Sequence, residues 1–396
     1  HLRIDGDPAS GDGNGILLVN ANRVIHLNTT AALMAYLYLE NTPDQETVRI
    51  IQHTYQVSGS QASGDYAHFR DNFSHLIRPD GACPVCDLDI DIKAPFSTTP
   101  SAPYRMDLAL TYRCNNGCPH CYNARPRNFS EISTSAWMQV IDRVWENGIP
   151  HVVFTGGEPT LRDDLPDLIA YAESKGQITG VNTNARRLQD TNFLNALVDA
   201  GLDHIQVTVE SHSASIHDEM VSAKGAWKQT ITGLQYALDT PLYVMTNTTM
   251  LRENSPHLPE TLDFLAELGV PTIGLNALIH AGHGATVGTG LDESELPPLL
   301  DIARSKTDQY GQRLIWYTPT QYCNFDPMQL ELGVKGCTAA LYNMCVEPDG
   351  SVLPCQSYYQ PVGNMLIDSW DDIWNHKLSR YLRERKYIPD KCEPCA

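Results

Sequence analysis

Between residues 104 and 300, apolar β-rich runs alternate with amphipathic helical stretches six times over, and few folds accept that pattern. The runs are Leu108–Thr111, His151–Thr155, Gly180–Thr183, His204–Val209, Leu242–Thr248 and Thr272–Ala277. Helical periodicity fills the gaps at Ser135–Trp145, Asp164–Ser174, Thr191–Ala200, Trp227–Leu238 and Leu258–Leu268. Parallel neighbours need a crossover of about a dozen residues, usually a helix. The pattern therefore predicts an α/β fold, a parallel sheet curved into a partial (β/α)6 TIM-like barrel with its site on the loops at the strand C-termini.

The loop after the first run reads Tyr112-Arg-Cys-Asn-Asn-Gly-Cys-Pro-His-Cys-Tyr122. Thiolates at Cys114, Cys118 and Cys121 can hold three irons of a [4Fe–4S] cube and leave the fourth open to a small molecule. A structural zinc site is the competing reading of the same triplet. The chain has 396 residues and eleven cysteines, an odd number that points to metal or redox chemistry before a disulfide framework. Its formal charge of −19 argues against a general nucleic-acid binder, which needs basic faces to displace counterions. No apolar run approaches a membrane span, and His1-Leu-Arg-Ile-Asp-Gly6 lacks a signal-peptide pattern, so a cytoplasmic setting is expected.

C-x3-C-x2-C directly after a barrel strand resembles the radical S-adenosylmethionine (SAM) superfamily. Gly156-Gly-Glu-Pro159, after the second strand, supports that resemblance independently. It implies that Gly156, Gly157, Glu158 and Pro159 form the segment binding the methionyl amino group of SAM. Weaker roles follow by position: Asn182, Asn184, Glu210, Ser211 and Asn247 as polar contacts to SAM, Ile279 flanking adenine, and His120 stacking near adenine. The family's Arg-Gly pair after the fourth strand is absent from His217–Gly225, which leaves Ser222 or Lys224 as substitutes toward the SAM carboxylate. The implied chemistry is reductive cleavage of SAM to a 5′-deoxyadenosyl radical, which abstracts hydrogen from an unactivated C–H bond.

Two further regions flank the barrel. Residues 1–14 are small and polar and read as a flexible N-terminus. Residues 15–80 pattern as a hairpin through Asn20-Ala-Asn22 followed by three helices, which resembles the winged-helix-like, PqqD-like domain that recognises peptides. Residues 81–103 read as a linker holding Cys83 and Cys86, and residues 104–300 as the barrel. In 301–396, Cys337, Gly350, Cys355 and the pair Cys392/Cys395 resemble the Twitch form of the SPASM/Twitch extension, the cysteines ligating an auxiliary [4Fe–4S] cluster. Four thiolates on zinc are the alternative. Cys345 reads as a packed small hydrophobe, and Cys323 as a candidate hydrogen donor to a substrate radical.

These features imply two [4Fe–4S] clusters, SAM, and a flavodoxin- or ferredoxin-type reductant. The expected substrate is a ribosomally made peptide with a leader, crosslinked, dehydrogenated or epimerised at an unactivated carbon. A small molecule in cofactor or natural-product biosynthesis is the alternative, and a non-enzymatic zinc or electron-transfer protein is the third.

Overall fold

The computed structural model describes residues 2–5, 14–19, 23–76 and 100–389, and the chain divides into two compact units, His1–Ser101 and Ala102–Ala396. In the first unit, strands β1 (Leu2–Asp5), β2 (Asn14–Val19) and β3 (Arg23–Leu27) form an antiparallel sheet. Helices α1 (Thr29–Leu39), α2 (Asp44–Tyr55) and α3 (Gly59–Leu76) follow. The expectation of a flexible stretch over 1–14 is corrected at its start, because Leu2 pairs with Leu17 and Ile4 with Gly15. Its polarity concealed Leu2 and Ile4, whose side chains pack beside Leu17 and Phe73. The Asn28 side chain caps α1 by accepting from Ala31 N at 2.9 Å. Gly15 lets α1 settle on the sheet, since a Cβ there would meet the Ala32 Cβ at 2.8 Å. Leu17, Leu27, Ala32, Ala35 and Phe73 form one core patch; Met34, Ile51, Ala62 and Tyr66 form another.

The second unit is built on β4 (Arg105–Thr111), β5 (His151–Gly156), β6 (Ile178–Thr183), β7 (His204–Thr208), β8 (Tyr243–Thr249) and β9 (Thr272–Asn276). The sheet continues beyond these six runs with β10 (Arg313–Trp316), β11 (Asn343–Val346), β12 (Ser351–Leu353) and β13 (Gly363–Asn364). Its order is β10-β9-β8-β7-β6-β5-β4-β11-β12-β13, parallel from β10 to β11 and antiparallel beyond. The crossovers carry α4 (Thr134–Glu146), α5 (Leu165–Lys175), α6 (Thr191–Asp199), α7 (Ala214–Met220), α8 (Ala226–Leu238), α9 (Leu258–Glu267) and α10 (Leu296–Tyr310). Short helices α11 (Trp370–Trp374) and α12 (Lys377–Arg383) follow the last strand. The architecture is a partial barrel of the α/β class. The parallel sheet thus runs past residue 300, and β11 adds to it beside β4 on the opposite edge from β10.

Strand alternation separates two environments. Met106, Leu108, Leu110, Val152, Phe154, Val181, Ile205, Ile273 and Leu275 join the helices in one continuous core. The alternate positions of β4 carry Arg105 and Asp107, an ion pair at 2.9 Å with the carboxylate wholly buried. His151 and His204 meet Nε2 to Nε2 at 2.9 Å, with Gly180 between their strands leaving room for the His204 ring. Burial holds both imidazoles neutral, His204 pushed down to about 4 and His151 well below its ordinary value.

Candidate active site

The two main motifs expected to carry chemistry in the barrel lie at strand C-termini. The thiol triplet follows β4, and Gly156-Gly-Glu-Pro159 closes β5. The two are bonded to each other: Gly157 N donates to Thr111 O at 2.7 Å and Glu158 N to Arg113 O at 2.8 Å. Neither glycine accepts a side chain, because a Cβ on Gly156 (φ +129°) would sit 2.1 Å from Thr111 O, and one on Gly157 2.4 Å from Arg113 O. Pro159 opens a 3-10 turn, Pro159–Leu161, capped by the Glu158 carboxylate.

Glu158 is fully buried and accepts four bonds. Its Oε1 takes Thr160 N (3.1 Å), Thr160 Oγ1 (2.7 Å) and Thr183 Oγ1 (2.7 Å), and its Oε2 takes Asn184 N (2.7 Å). Burial pushes its carboxyl above the ordinary value, against the pull of those donors. The side chain is therefore occupied in tying the end of β5 to the end of β6. Asn184 passes the constraint on, its Nδ2 donating to Asn115 Oδ1 at 2.6 Å inside the thiol loop.

Burial pushes the three thiols up, Cys114 to about 11, Cys118 well above its ordinary value and Cys121 in the same direction; Arg127 draws Cys114 and Cys121 partly back. Iron binding at these sulfurs would thus release protons. Each thiolate of a cube serves a different iron, so the ligands need not converge on one point. Among the described residues no three His, Cys, Asp or Glu side chains converge on a common point. Soft sulfur donors on one short loop fit an iron–sulfur cluster.

The remaining expected contacts arrive with protein partners. Glu210 is buried after β7; its Oε1 meets His120 Nε2 at 3.0 Å and its Oε2 accepts Thr249 N at 2.9 Å. Burial lowers His120, and Glu210 more than reverses this, so the imidazole titrates above its ordinary value. Ser211 Oγ accepts Ser213 N at 3.2 Å, and Asn247 Oδ1 accepts Asn276 Nδ2 at 2.8 Å. Asn182 lies on β6 opposite Gln206. The segment containing Ile279 closes on the thiol loop, with Gly284 N donating to Cys121 O at 3.1 Å. Ser222 and Lys224 are exposed, in a segment held to the loop by Gly117 N donating to Val221 O at 2.8 Å.

The thiol loop also contacts the β11–β12 hairpin, which turns at Pro348-Asp-Gly350 as its sequence implies. Tyr112 Oη donates to the wholly buried Glu347 at 3.0 Å, and Arg125 clasps the same carboxylate with two bonds of 2.7 Å. Tyr122 Oη donates to Gln356 Oε1 at 3.1 Å, joining the neighbour of Cys121 to the neighbour of Cys355. Cys355 is half-buried and feels the charge of Cys337. Burial, and after it the charge of Cys337, push the Tyr387 hydroxyl up, which puts the end of the described chain within reach of that thiol. Cys83, Cys86, Cys392 and Cys395 lie outside the described residues. Cys345 is buried beside Ala109, Tyr112 and Leu353, and Cys323 is exposed on the chain after β10.

Residues 108–265 match the family described as the radical SAM superfamily, and residues 337–396 match SPASM, the iron–sulfur cluster-binding domain. The chain carries a radical SAM domain followed by a SPASM domain. This radical SAM enzyme is 28% identical over 316 residues to Fe-coproporphyrin III synthase of Methanosarcina barkeri, covering 72% of this chain and 79% of that protein. It is 27% identical over 306 residues to PqqA peptide cyclase of Rhizobium meliloti, covering 74% and 79%. Its fold matches Streptococcus suis SuiB, solved with the precursor peptide SuiA, at a TM-score of 0.73 and 15% identity over 99% of this chain and 91% of that one. The radical SAM domain binds SAM and a [4Fe–4S] cluster, and the SPASM domain carries a second iron–sulfur cluster. Among the described residues no helix is long and apolar enough to cross a membrane.

Sequence reading missed the groups that brace this site: Arg127 and Arg186 on the thiol loop, Asn254 on the Glu210 carbonyl, and Arg125 on Glu347. Arginines in loops are ordinarily surface residues, and no spacing marks these out.

Proposed function

We propose that this radical SAM enzyme matures a ribosomally made peptide in the cytoplasm, with residues 15–80 recognising the leader and the barrel presenting one C–H bond of the core. Cys114, Cys118 and Cys121 hold the open cluster; Cys337, Cys355, Cys392 and Cys395 hold the auxiliary one. The backbone at Gly156 and Gly157 receives the SAM ammonium, and Asn182, Asn184 and the Ile279 segment line the rest of its site. When bound and reduced, by a flavodoxin- or ferredoxin-type donor, cluster and SAM supply a 5′-deoxyadenosyl radical able to take hydrogen from an unactivated carbon.

The supporting observation is the first unit itself: a three-stranded antiparallel sheet with three helices, in a chain whose fold likeness to SuiB extends over 99% of its length. A sheet of that kind offers edges to which an extended peptide can add. The second reading, radical chemistry on a small molecule, is favoured by the similarity to Fe-coproporphyrin III synthase.

Two measurements separate these. Titrating the full chain with leader peptides encoded beside its gene gives saturable binding under the first reading, and none under the second. After anaerobic reconstitution the chain should hold about eight irons and release 5′-deoxyadenosine. Replacing Cys114, Cys118 and Cys121 by alanine should abolish that release and leave about four irons. Persistent release from the triple variant would sink the assignment.

A further inference from the structure

The turn between the first two thiols of the triplet is gripped by two guanidinium groups from different parts of the chain. Arg127 donates from Nη1 to Cys114 O at 2.6 Å and from Nη2 to Asn116 O. Arg186, on the turn after β6, donates from Nη1 to Asn115 O and, at 2.8 Å, to Asn116 Oδ1. Its own Nε is fixed by Gln229 Oε1 of α8 at 2.7 Å. Three successive carbonyls, those of Cys114, Asn115 and Asn116, are thus each taken by an arginine. The amide of Asn116 turns the other way, its N–H directed at Cys114 Sγ at 3.4 Å.

That arrangement has an electrostatic sense. A carbonyl oxygen aimed at thiolate sulfur repels it, whereas N–H groups directed at cluster sulfurs, and cations close by, stabilise the more negative, reduced cluster. Loop bracing alone would be served by any donor; two permanent cations go further, since guanidinium does not lose its proton in proteins.

We propose that Arg127 and Arg186 are positioning residues of the radical SAM cluster: they turn the Cys114–Asn116 carbonyls away from sulfur and raise the cluster's reduction potential. The inference rests on ligation by Cys114, Cys118 and Cys121 as proposed above.

The test uses the full chain, reconstituted anaerobically, with Arg127→Gln, Arg186→Gln and the corresponding lysine variants. Iron is counted, and an EPR-monitored redox titration is read at the signal that SAM perturbs, which singles out the open cluster. Each glutamine variant should retain its iron and be harder to reduce by about tenfold in equilibrium constant, or 59 mV for one electron. Lysine should recover the potential but not the line shape, because an ammonium cannot reproduce the guanidinium fork. Unchanged midpoint and line shape in both glutamine variants at full iron content would overturn the proposal. Should glutamine cost the iron, the lysine variants decide: a loaded protein with an altered line shape supports the proposal, and an unaltered one overturns it. A parent protein lacking any SAM-perturbed signal would refute the ligation reading instead.

Discussion

Carboxylates at this barrel's strand ends are differentiated by what faces them. Glu158 meets four donors and Glu210 meets an imidazole and an amide, so both are held by the protein. Glu173, at the end of α5, faces another acid. Asp203 accepts Thr179 N at 2.8 Å while Glu173 accepts Thr179 Oγ1 at 3.1 Å, and burial followed by the Asp203 charge pushes Glu173 up to about 7. A carboxyl whose folded value is raised binds its proton more tightly in the folded chain. Its stabilising effect is complete below about 4.5 and is lost as pH rises through about 7. Glu173→Gln should flatten the fall in melting temperature between those values and raise it by a few degrees at pH 8. Parallel pH profiles for the two proteins would contradict this. The residue scale is also where sequence reading was weakest, since the donors that a Glu meets and the acceptors that an Arg meets are mostly set by residues tens of positions away.

At the scale of elements, the decisive contact is between the end of β4 and the glycine pair after β5. Backbone meets backbone there without side chains, and a methyl group on Gly157 would collide with the carbonyls of Tyr112 and Arg113. Gly157→Ala should therefore leave circular dichroism unchanged and weaken SAM binding at least tenfold, about 1.4 kcal/mol. Equilibrium dialysis of SAM against reconstituted protein checks this, and unaltered affinity would refute it. The six main strands and their helices were legible because each buries a periodic apolar face long enough to register in a window. β10 and β13 were not: four and two residues long, they are completed by neighbours rather than by their own pattern, whereas the equally short β12 was signalled by the Pro348-Asp-Gly350 turn. The Leu2–Asp5 strand was hidden for a related reason, its two apolar residues standing beside a polar stretch.

Over the second unit as a whole, the thiol loop and the β11–β12 hairpin form one bonded body. Glu347, wholly buried, carries the connection through Tyr112 and Arg125, and Arg125 packs over Phe129 and Tyr359 at 5.3 Å each. Removing one partner of a buried pair leaves an uncompensated charge, at a cost of about 3–5 kcal/mol. Arg125→Met should lower unfolding stability by about 3 kcal/mol in urea. Restoration by Arg125→Met combined with Glu347→Gln would identify the stranded carboxylate as the cause; a single variant as stable as the parent would show the pair to be dispensable.

What the sequence determined by itself is the class of chemistry and the scaffold that hosts it. Both are encoded locally, in cysteine spacing, in a four-residue glycine motif and in the β/α period. The tertiary structure alone decided which side chains the protein itself occupies. Glu158 and Glu210 are held by the protein, and Arg127 of the same loop and Arg186 of the turn after β6 take the carbonyls of Cys114, Asn115 and Asn116. Hydrogen-bond satisfaction in a buried site depends on groups that only the fold brings together, and no spacing along the chain records them.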